Sequence, residues 1–249
     1  MSGASPRGAA NEQEAAAWVR DMFGRVAPRY DLLNHLLSFH IDKHWRNRTV
    51  KRLQSVLDRP DAMVLDLCCG TGDLMLALRA KAKARVLGSD FCHPMLIAAK
   101  QKAGAGSPFF EADALRLPVG NQSVDAITVA FGFRNLANYE AGLLELKRVL
   151  KPGGVAAILE FSQPPNPIFN AAYSFYSRNI LPRIGGLISG APDAYTYLPD
   201  SVRKFPDAPG LARKMSAAGF SEVSFERMTF GIVALHTGSA RQLKKSAYP

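Results

Sequence analysis

Between Met63 and Phe161 the hydrophobic positions follow two alternating rhythms. MVLDL (63–67), ARVLGSD (84–90), SPFFEAD (107–113), VDAITVAF (124–131) and VAAILEF (155–161) are short and apolar, with β-branched or aromatic residues, so each predicts a strand. GDLMLALRAKA (72–82), HPMLIAAKQKA (93–103) and NYEAGLLELKRVLK (138–151) carry apolar residues at helical spacing, with Pro94 in a first turn where its missing N–H costs nothing. KPGG (151–154) stops the third helix and turns the chain into the next strand. Such alternation predicts an α/β domain, a doubly wound and mostly parallel sheet with helices on both faces. SEVSFERM (221–228) and GIVALHTG (231–238) bring the strands to seven, as a hairpin at the sheet edge.

Two regions break the alternation. Residues 13–60 read as an N-terminal helical cap, and residues 164–206 as an insertion after the fifth strand. The insertion is rich in aromatics, proline and glycine, with Ile168, Phe169, Tyr173, Phe175 and Tyr176 among its apolar positions. Long insertions at the carboxyl ends of strands commonly form lids over ligand sites, and a helical lid is expected; the same aromatics would also serve to pack the insert onto the domain. A single domain at 13–238 is therefore expected, after a disordered leader (1–12) and before a basic tail (239–249). The leader, MSGASPRGAANE, lacks the apolar segment of a secretory signal, and no apolar run approaches the ~18 residues of a membrane span.

Composition alters this picture at one point. Hydrophobic (47%) and charged (21%) shares are ordinary over 249 residues, but 31 Lys and Arg against 21 Asp and Glu leave a net charge of +10. The excess suits an anionic partner, whether nucleic acid, membrane surface or acidic protein, or merely a basic soluble chain with none. It concentrates in KHWRNRTVKRL (43–53) and RQLKKSAYP (241–249). Around the first, Ile41, Trp45, Val50 and Leu53 fall at helical spacing, which makes the basic side one face of an amphipathic helix and suits a membrane interface at least as well as an RNA groove. Cys68, Cys69 and Cys92 form neither a disulfide framework nor a paired metal pattern; no metal is expected, and a reducing compartment, the cytoplasm, is.

The chemistry concentrates in VLDLCCGTGDLMLALR (64–79). Gly70 and Gly72 form a turn between a strand and a helix, as in a dinucleotide site, yet Asp73 stands where a pyrophosphate would need the helix N-terminus. Met75 occupies the third glycine position of the dinucleotide fingerprint, and no Gly-Lys-Ser/Thr follows. Three acids fall at strand ends: Asp73, Asp90 and Asp113, with Asp90 twenty positions past Gly70 at the spacing of a ribose-binding carboxylate. A nucleoside that carries positive charge instead of phosphates resolves the conflict, and S-adenosyl-L-methionine is one. Glycines admit its methionyl part, acids attract its cations, and Asp113 with Ala114 suits the adenine edge. Each acid alone would equally be a turn former or helix cap.

VLDLCCGTGD (64–73) resembles the first motif of class I methyltransferases, and KRVLKPGG (147–154) their later post-helix motif. FGRVAPRYDLLNHLLSFHIDKHWR (23–46), AFGFRN (130–135), LEFSQP (159–164), SVRKFP (201–206) and MSAAGF (215–220) resemble the ubiquinone/menaquinone biosynthesis C-methyltransferases, from about residue 20 to 238. The chain departs from that family at Phe39-His40, where a glycine is usual, and at Ala130, often a small hydroxyl residue. The resemblance implies a Rossmann-like fold, S-adenosyl-L-methionine as cofactor, and contacts from Thr71, Asp90, Asp113 and Ala114; Gly70, Gly72 and Asp73 join them from the turn itself. It places Arg134 and Asn135 on the acceptor-side motif and Tyr30 on the N-terminal active-site motif.

The implied reaction moves a methyl group from sulfur to a ring carbon of a polyprenylated quinol, demethylmenaquinol to menaquinol. Alternatives are 2-methoxy-6-polyprenyl-1,4-benzoquinol in ubiquinone biosynthesis, a soluble small molecule, or an RNA-binding protein with a vestigial cofactor site. The (Asp/Asn)-Pro-Pro-aromatic tetrad of base-methylating enzymes is absent at AFGFRN, which counts against base N-methylation although not against every RNA methyltransferase; no nucleic-acid partner is expected. Arg134 stays protonated and cannot be a base; its role would be to stabilise a developing phenolate with Asn135 orienting the group, the alternative being a loop salt bridge. Tyr30 is either a hydrogen-bonding partner or a packed ring. His236 sits in a strand pattern as a structural residue, and His40 and His44 are further histidines to examine. The partners expected are the quinol and the anionic inner face of a membrane, held peripherally, with self-association into a homo-oligomer left open.

Overall fold

Period-two alternation sorts the strand residues onto two faces. In the computed structural model, which describes residues 3–6, 8–32, 38, 40–104, 106–180 and 192–240, the strands are β1 (Met63–Leu67), β2 (Arg85–Asp90), β3 (Phe109–Glu111), β4 (Val124–Ala130), β5 (Leu150–Phe161), β6 (Ser221–Met228) and β7 (Val233–Ser239). They form one sheet in the order β3-β2-β1-β4-β5-β7-β6, parallel from β3 to β5, with β7 antiparallel to both of its neighbours. The order reverses between β1 and β4, which opens a crevice at their carboxyl ends.

The described helices are α1 (Glu12–Val26), α2 (Ile41–Arg52), α3 (Gln54–Leu57), α4 (Asp73–Arg79), α5 (His93–Ala103), α6 (Tyr139–Val149), α7 (Pro167–Phe175), α8 (Pro192–Lys204) and α9 (Ala208–Ala217). Val64, Ala126, Ala157 and Leu159 pack on one sheet face with Trp45, Leu53, Leu57, Leu74 and Leu78. Leu65, Leu67, Ile127, Val129 and Ile158 pack on the other with Leu143, Leu146, Leu211 and Met215. Each such side chain, fully buried, contributes about 1.5–3 kcal/mol. Asparagines start three described helices: Asn11 accepts from the Glu14 N–H while Glu14 accepts from the Ala10 N–H, Asn138 accepts from the Ala141 N–H, and Asn166 from the Ile168 and Phe169 N–H groups.

Two expectations change, and two gain a physical reason. KPGG does not precede β5 but lies within it: Val124 pairs with Leu150 and Ala126 with Val155, so the intervening residues bulge out, with Gly153 left-handed at φ +81°. The presumed disordered leader is docked at residues 3–6, where Ala4 is buried and donates its N–H to the Leu136 carbonyl at 2.7 Å. The amphipathic helix 43–53 keeps its apolar side for the core, since Trp45, Val50 and Leu53 are buried; Lys43, His44, Asn47, Arg48, Lys51 and Arg52 face outward. His40, where the resemblance leads one to expect glycine nearby, has φ 60°, a conformation that glycine enters without a Cβ clash. The basic stretch 241–249 lies outside the described residues. No described helix is long and apolar enough to cross a membrane.

Gly132 joins the ends of β4 and β1. A Cβ there would sit 2.4 Å from the Cβ of Cys68, closer than packing allows, although the backbone itself (φ −113°) would accept alanine. Gly132→Ala is therefore expected to lower stability by about 1–3 kcal/mol, read in urea unfolding. An unchanged midpoint would show that the two strand ends separate freely.

Candidate active site

The carboxyl ends of β1 and β4 carry unusual backbone. Cys68 (φ 54°) and Phe131 (φ 58°) are left-handed without being glycine, a strained state that clusters at functional sites. After Cys68 the turn continues through Gly70 (φ 54°) and Gly72 (φ 85°), where left-handed backbone suits glycine. The turn is pinned from β2: Cys69 donates its N–H to the Ser89 carbonyl at 2.9 Å and Gly70 to Asp90 Oδ2 at 2.8 Å. A narrow cleft results, lined by Gly70, Asp90, Phe91, Asp113, Ala114 and Asn135, with Phe23, Tyr30 and Phe131 closing it.

Asp90 is the electrostatic centre of that cleft. Its Oδ1 accepts from the Cys92 N–H at 2.9 Å, the Phe91 N–H adds a further backbone donor, and the carboxylate retains acceptor capacity toward the cleft. Burial raises its pKa from 3.8 to about 6, against the opposing pull of the backbone donors. Asp113 is exposed and caps its own loop through Oδ1 and the Leu115 N–H at 2.9 Å, so it is a turn former that also lines the cleft.

Thr71, Gly72 and Asp73 do not line the cleft; Thr71 and Asp73 belong to an ion-pair network beside it. Asp73 receives Lys102 Nζ at 2.5 Å and Arg46 Nη2 at 3.2 Å. Lys102 also reaches Asp31 at 2.5 Å, Asp31 accepts from the Thr71 hydroxyl, and Arg46 pairs with buried Asp42. Segments before and after β1 are thereby tied to the glycine turn, and the charge of Asp73 is balanced from within the protein.

A larger cavity of about 490 Å³ opens alongside, walled by Trp45, Phe131 and Phe161 together with Tyr173, Tyr176 and Tyr197 from the insertion. Trp45, Phe131 and Phe161 touch one another, ring centroids 4.8–6.4 Å apart. Arg134 is the buried cation in this wall. Its Nη1 meets Glu160 Oε1 at 2.9 Å and its backbone N–H meets Oε2 at 3.2 Å, while the guanidinium lies 5.3 Å over the Phe161 ring. Burial pulls its pKa down, but Glu160, with Tyr197 and Tyr30, outweighs this and leaves it above its usual value. Arg134 is thus a permanent cation, in the salt bridge that was the alternative to a catalytic role, and it borders the cavity as well. No hydrogen bond reaches its Nη2 among the described residues. Asn135 accepts from the Tyr197 hydroxyl at 3.1 Å, and burial raises that tyrosine to about 12. Tyr30 lines both spaces, as do Phe23 and Phe131.

Residues 9–240 match the ubiE/COQ5 methyltransferase family. The chain belongs to this family. It is 51% identical over 221 residues to a demethylmenaquinone methyltransferase of Thermus thermophilus, covering 87% of this chain and 99% of that one. A Deinococcus radiodurans protein of the same name is 45% identical over 93% of this chain and 96% of its own. Among solved structures, an S-adenosylmethionine-dependent methyltransferase from Thermotoga maritima superposes with a TM-score of 0.64 at 17% identity, covering 89% and 99%, which shows the Rossmann-like methyltransferase fold. The enzyme is a methyltransferase.

Of the residues singled out in the sequence, Gly70, Asp90, Asp113, Ala114, Asn135 and Tyr30 meet at the cleft, and Arg134 and Tyr30 at the cavity. Glu160, Arg46, Lys102, Asp31 and Tyr197 were missed; Glu160 alone left a trace, an acid closing the apolar run VAAILEF. His236 is buried in β7, where Nε2 lies 2.8 Å from the Ala208 carbonyl. Asp66 was missed too. It is buried under the turn, accepts from Thr128 through Oδ1 at 2.6 Å, and has no partner for Oδ2 among the described residues. Burial raises its pKa from 3.8 to about 7. An acid shifted upward by folding stabilises the protein fully below its unfolded pKa, and that contribution disappears as pH rises through the folded value. Wild-type thermal stability should therefore fall between about pH 4 and pH 7, by up to a few kcal/mol. Asp66→Asn should flatten the decline; an identical slope would assign it elsewhere.

Proposed function

We propose that the enzyme transfers a methyl group from S-adenosyl-L-methionine to a ring carbon of a polyprenylated quinol, demethylmenaquinol, at the cytoplasmic face of a membrane that holds it peripherally. The observation that carries this reading is the junction of two chemically different spaces. A cleft with a buried carboxylate and glycine turn meets an aromatic cavity of about 490 Å³, and Phe23, Tyr30 and Phe131 line both. The names of the relatives support the acceptor, and their family the methyl donor.

The donor set of the cleft fits the cofactor: Asp90 for the ribose hydroxyls, Asp113 and Ala114 for the adenine edge, and Gly70 for close backbone approach. Phe23 and Tyr30 stand on the side of the cleft that faces the cavity, so a turn of either ring would widen the entry. S-adenosyl-L-methionine supplies an electrophilic methyl group on a sulfonium.

The chain's own task is to present an electron-rich carbon to that methyl and keep water away. A quinol is nucleophilic at the carbon beside its hydroxyl, most strongly as the phenolate. Arg134, fixed by Glu160, holds positive charge where phenolate charge develops. Tyr197, on the cavity wall, donates to Asn135 on the cleft wall, and Tyr30 lines both spaces. The aromatic walls receive the ring and the first part of its isoprenoid tail.

Asp90→Ala should weaken S-adenosylhomocysteine binding roughly 10- to 100-fold in calorimetry, the loss expected for a charged hydrogen bond. Wild-type affinity should fall as pH drops below about 6, where Asp90 gains a proton. Unchanged affinity would remove Asp90 from the ribose site. Purified enzyme with labelled donor, offered each reduced quinone separately, should convert demethylmenaquinol to the methylated naphthoquinol by mass; label appearing only in the benzoquinol would reassign the acceptor. Arg134→Lys keeps the charge opposite Glu160 but loses the planar fork, so turnover should fall at least about tenfold while cofactor affinity holds. Equal turnover would leave Arg134 a structural ion pair.

A further inference from the structure

Helix α7 is amphipathic in the wrong sense for a soluble lid. Asn170, Tyr173 and Ser174 turn toward the cavity, whereas Ile168, Ala171, Ala172 and Phe175 are all exposed. Those four positions are i, i+3, i+4 and i+7, one continuous apolar stripe. Ile168 is 81% and Phe175 63% exposed. The stripe adjoins the turn between β6 and β7, where the Phe230 ring, 78% exposed, meets Phe169 at 5.1 Å. That turn places Thr229 (φ 50°), Phe230 (φ 55°) and Gly231 (φ 93°) consecutively in the left-handed region, which is costly for the first two. It is held firmly in that shape: Trp45 Nε1 donates to Thr229 Oγ1 at 2.8 Å and Ser162 donates its N–H to the Ile232 carbonyl at 2.7 Å. Strained backbone thus keeps a large ring in water, next to a helix that does the same with four more apolar side chains.

The surroundings identify what covers this face. The Trp45 bond brings α2 beside the turn, and Arg48 reaches Glu226 on β6 at 2.9 Å. The outward side of α2 carries Lys43, Lys51 and Arg52, so a basic margin flanks the apolar patch. The acceptor cavity borders the same elements, through Ile41, Trp45, Asn170, Ser174 and Thr229. An apolar patch with a cationic margin beside an apolar cavity matches an anionic bilayer, where rings enter the acyl boundary and lysines meet headgroups.

We propose that the stripe of α7 and the Phe230 turn form the surface by which this enzyme seats on an anionic lipid bilayer, with the acceptor cavity beside the point of contact. The proposal rests on the quinol reading only for its purpose, since the surface is defined without it. Aromatic insertion supplies attachment, and α2, its apolar side committed to the core, contributes charge alone.

The full chain is floated with phosphatidylcholine vesicles with and without phosphatidylglycerol, alongside Phe230→Ser and the double variant Ile168→Ser/Phe175→Ser. Wild type should float with the anionic vesicles, more weakly in high salt, and each variant should partition roughly tenfold less. Thermal midpoint and S-adenosylhomocysteine affinity should stay unchanged, as should turnover of a short-chain quinol in detergent. Turnover of a long-chain quinol embedded in vesicles should fall with the partition. Wild type that never floats, or variants that float equally, would overturn the proposal even if detergent turnover persists. Loss of self-association in the variants, seen by sedimentation, would assign the face to a second copy instead. No quinol turnover in detergent would defeat the functional reading and leave the flotation result standing.

Discussion

Glu160 accepts from both the guanidinium and the backbone N–H of Arg134, and through that pair the last residues of β5 grip the turn after β4. Both side chains are buried, so neither charge is tolerable without the other; breaking such a pair typically costs about 3–5 kcal/mol. Other features of the cavity depend on this grip. Arg134 Nη1 also bonds the Phe131 carbonyl, its Nε approaches Ser201 on α8, and its own carbonyl accepts from Tyr139 at 3.0 Å. The left-handed Phe131 and the insertion are therefore attached to one fixed cation. A positive charge so held is pre-oriented, which gives it value toward a charge that develops only during reaction.

The opposite end of the crevice works by compensation. Asp31, Asp42 and Asp73 would repel one another around the glycine turn, but Lys102 and Arg46 lie between them. Asp90 stands apart from those cations and is satisfied by backbone N–H groups. It is the buried carboxylate with unused acceptor capacity facing the cleft. Of the three acids at strand ends, Asp90 and Asp113 thus line the cleft while Asp73 is bound into the scaffold, a division made by distance and burial.

The sheet was legible because its signals are local. A period of two in MVLDL or VAAILEF places side chains on faces wherever the strand ends up, and Gly70 and Asp90 inherit their positions from strand ends. Relations between distant segments were not legible. Lys102 meets Asp31 across 71 positions (102 − 31), and the spacing within HPMLIAAKQKA says nothing of that partner. Glu160 was hidden because one acid ending an apolar run reads as a strand boundary. Periodicity also fails to tell inward from outward: the apolar side of α2 packs on the core and that of α7 faces solvent, though both show helical spacing. KPGG misled for a related reason, since a glycine bulge and a helix-to-strand turn use the same residues.

Phe23, Tyr30 and Phe131 form a party wall between two rooms. Any displacement of Tyr30 on one side would reshape the hollow on the other, so ligands of the two spaces would be coupled. By reciprocity, whatever the donor does to the affinity for the ring, the ring does to the affinity for the donor. Demethylated cofactor left in the cleft would, through the same three rings, alter the fit of the next acceptor.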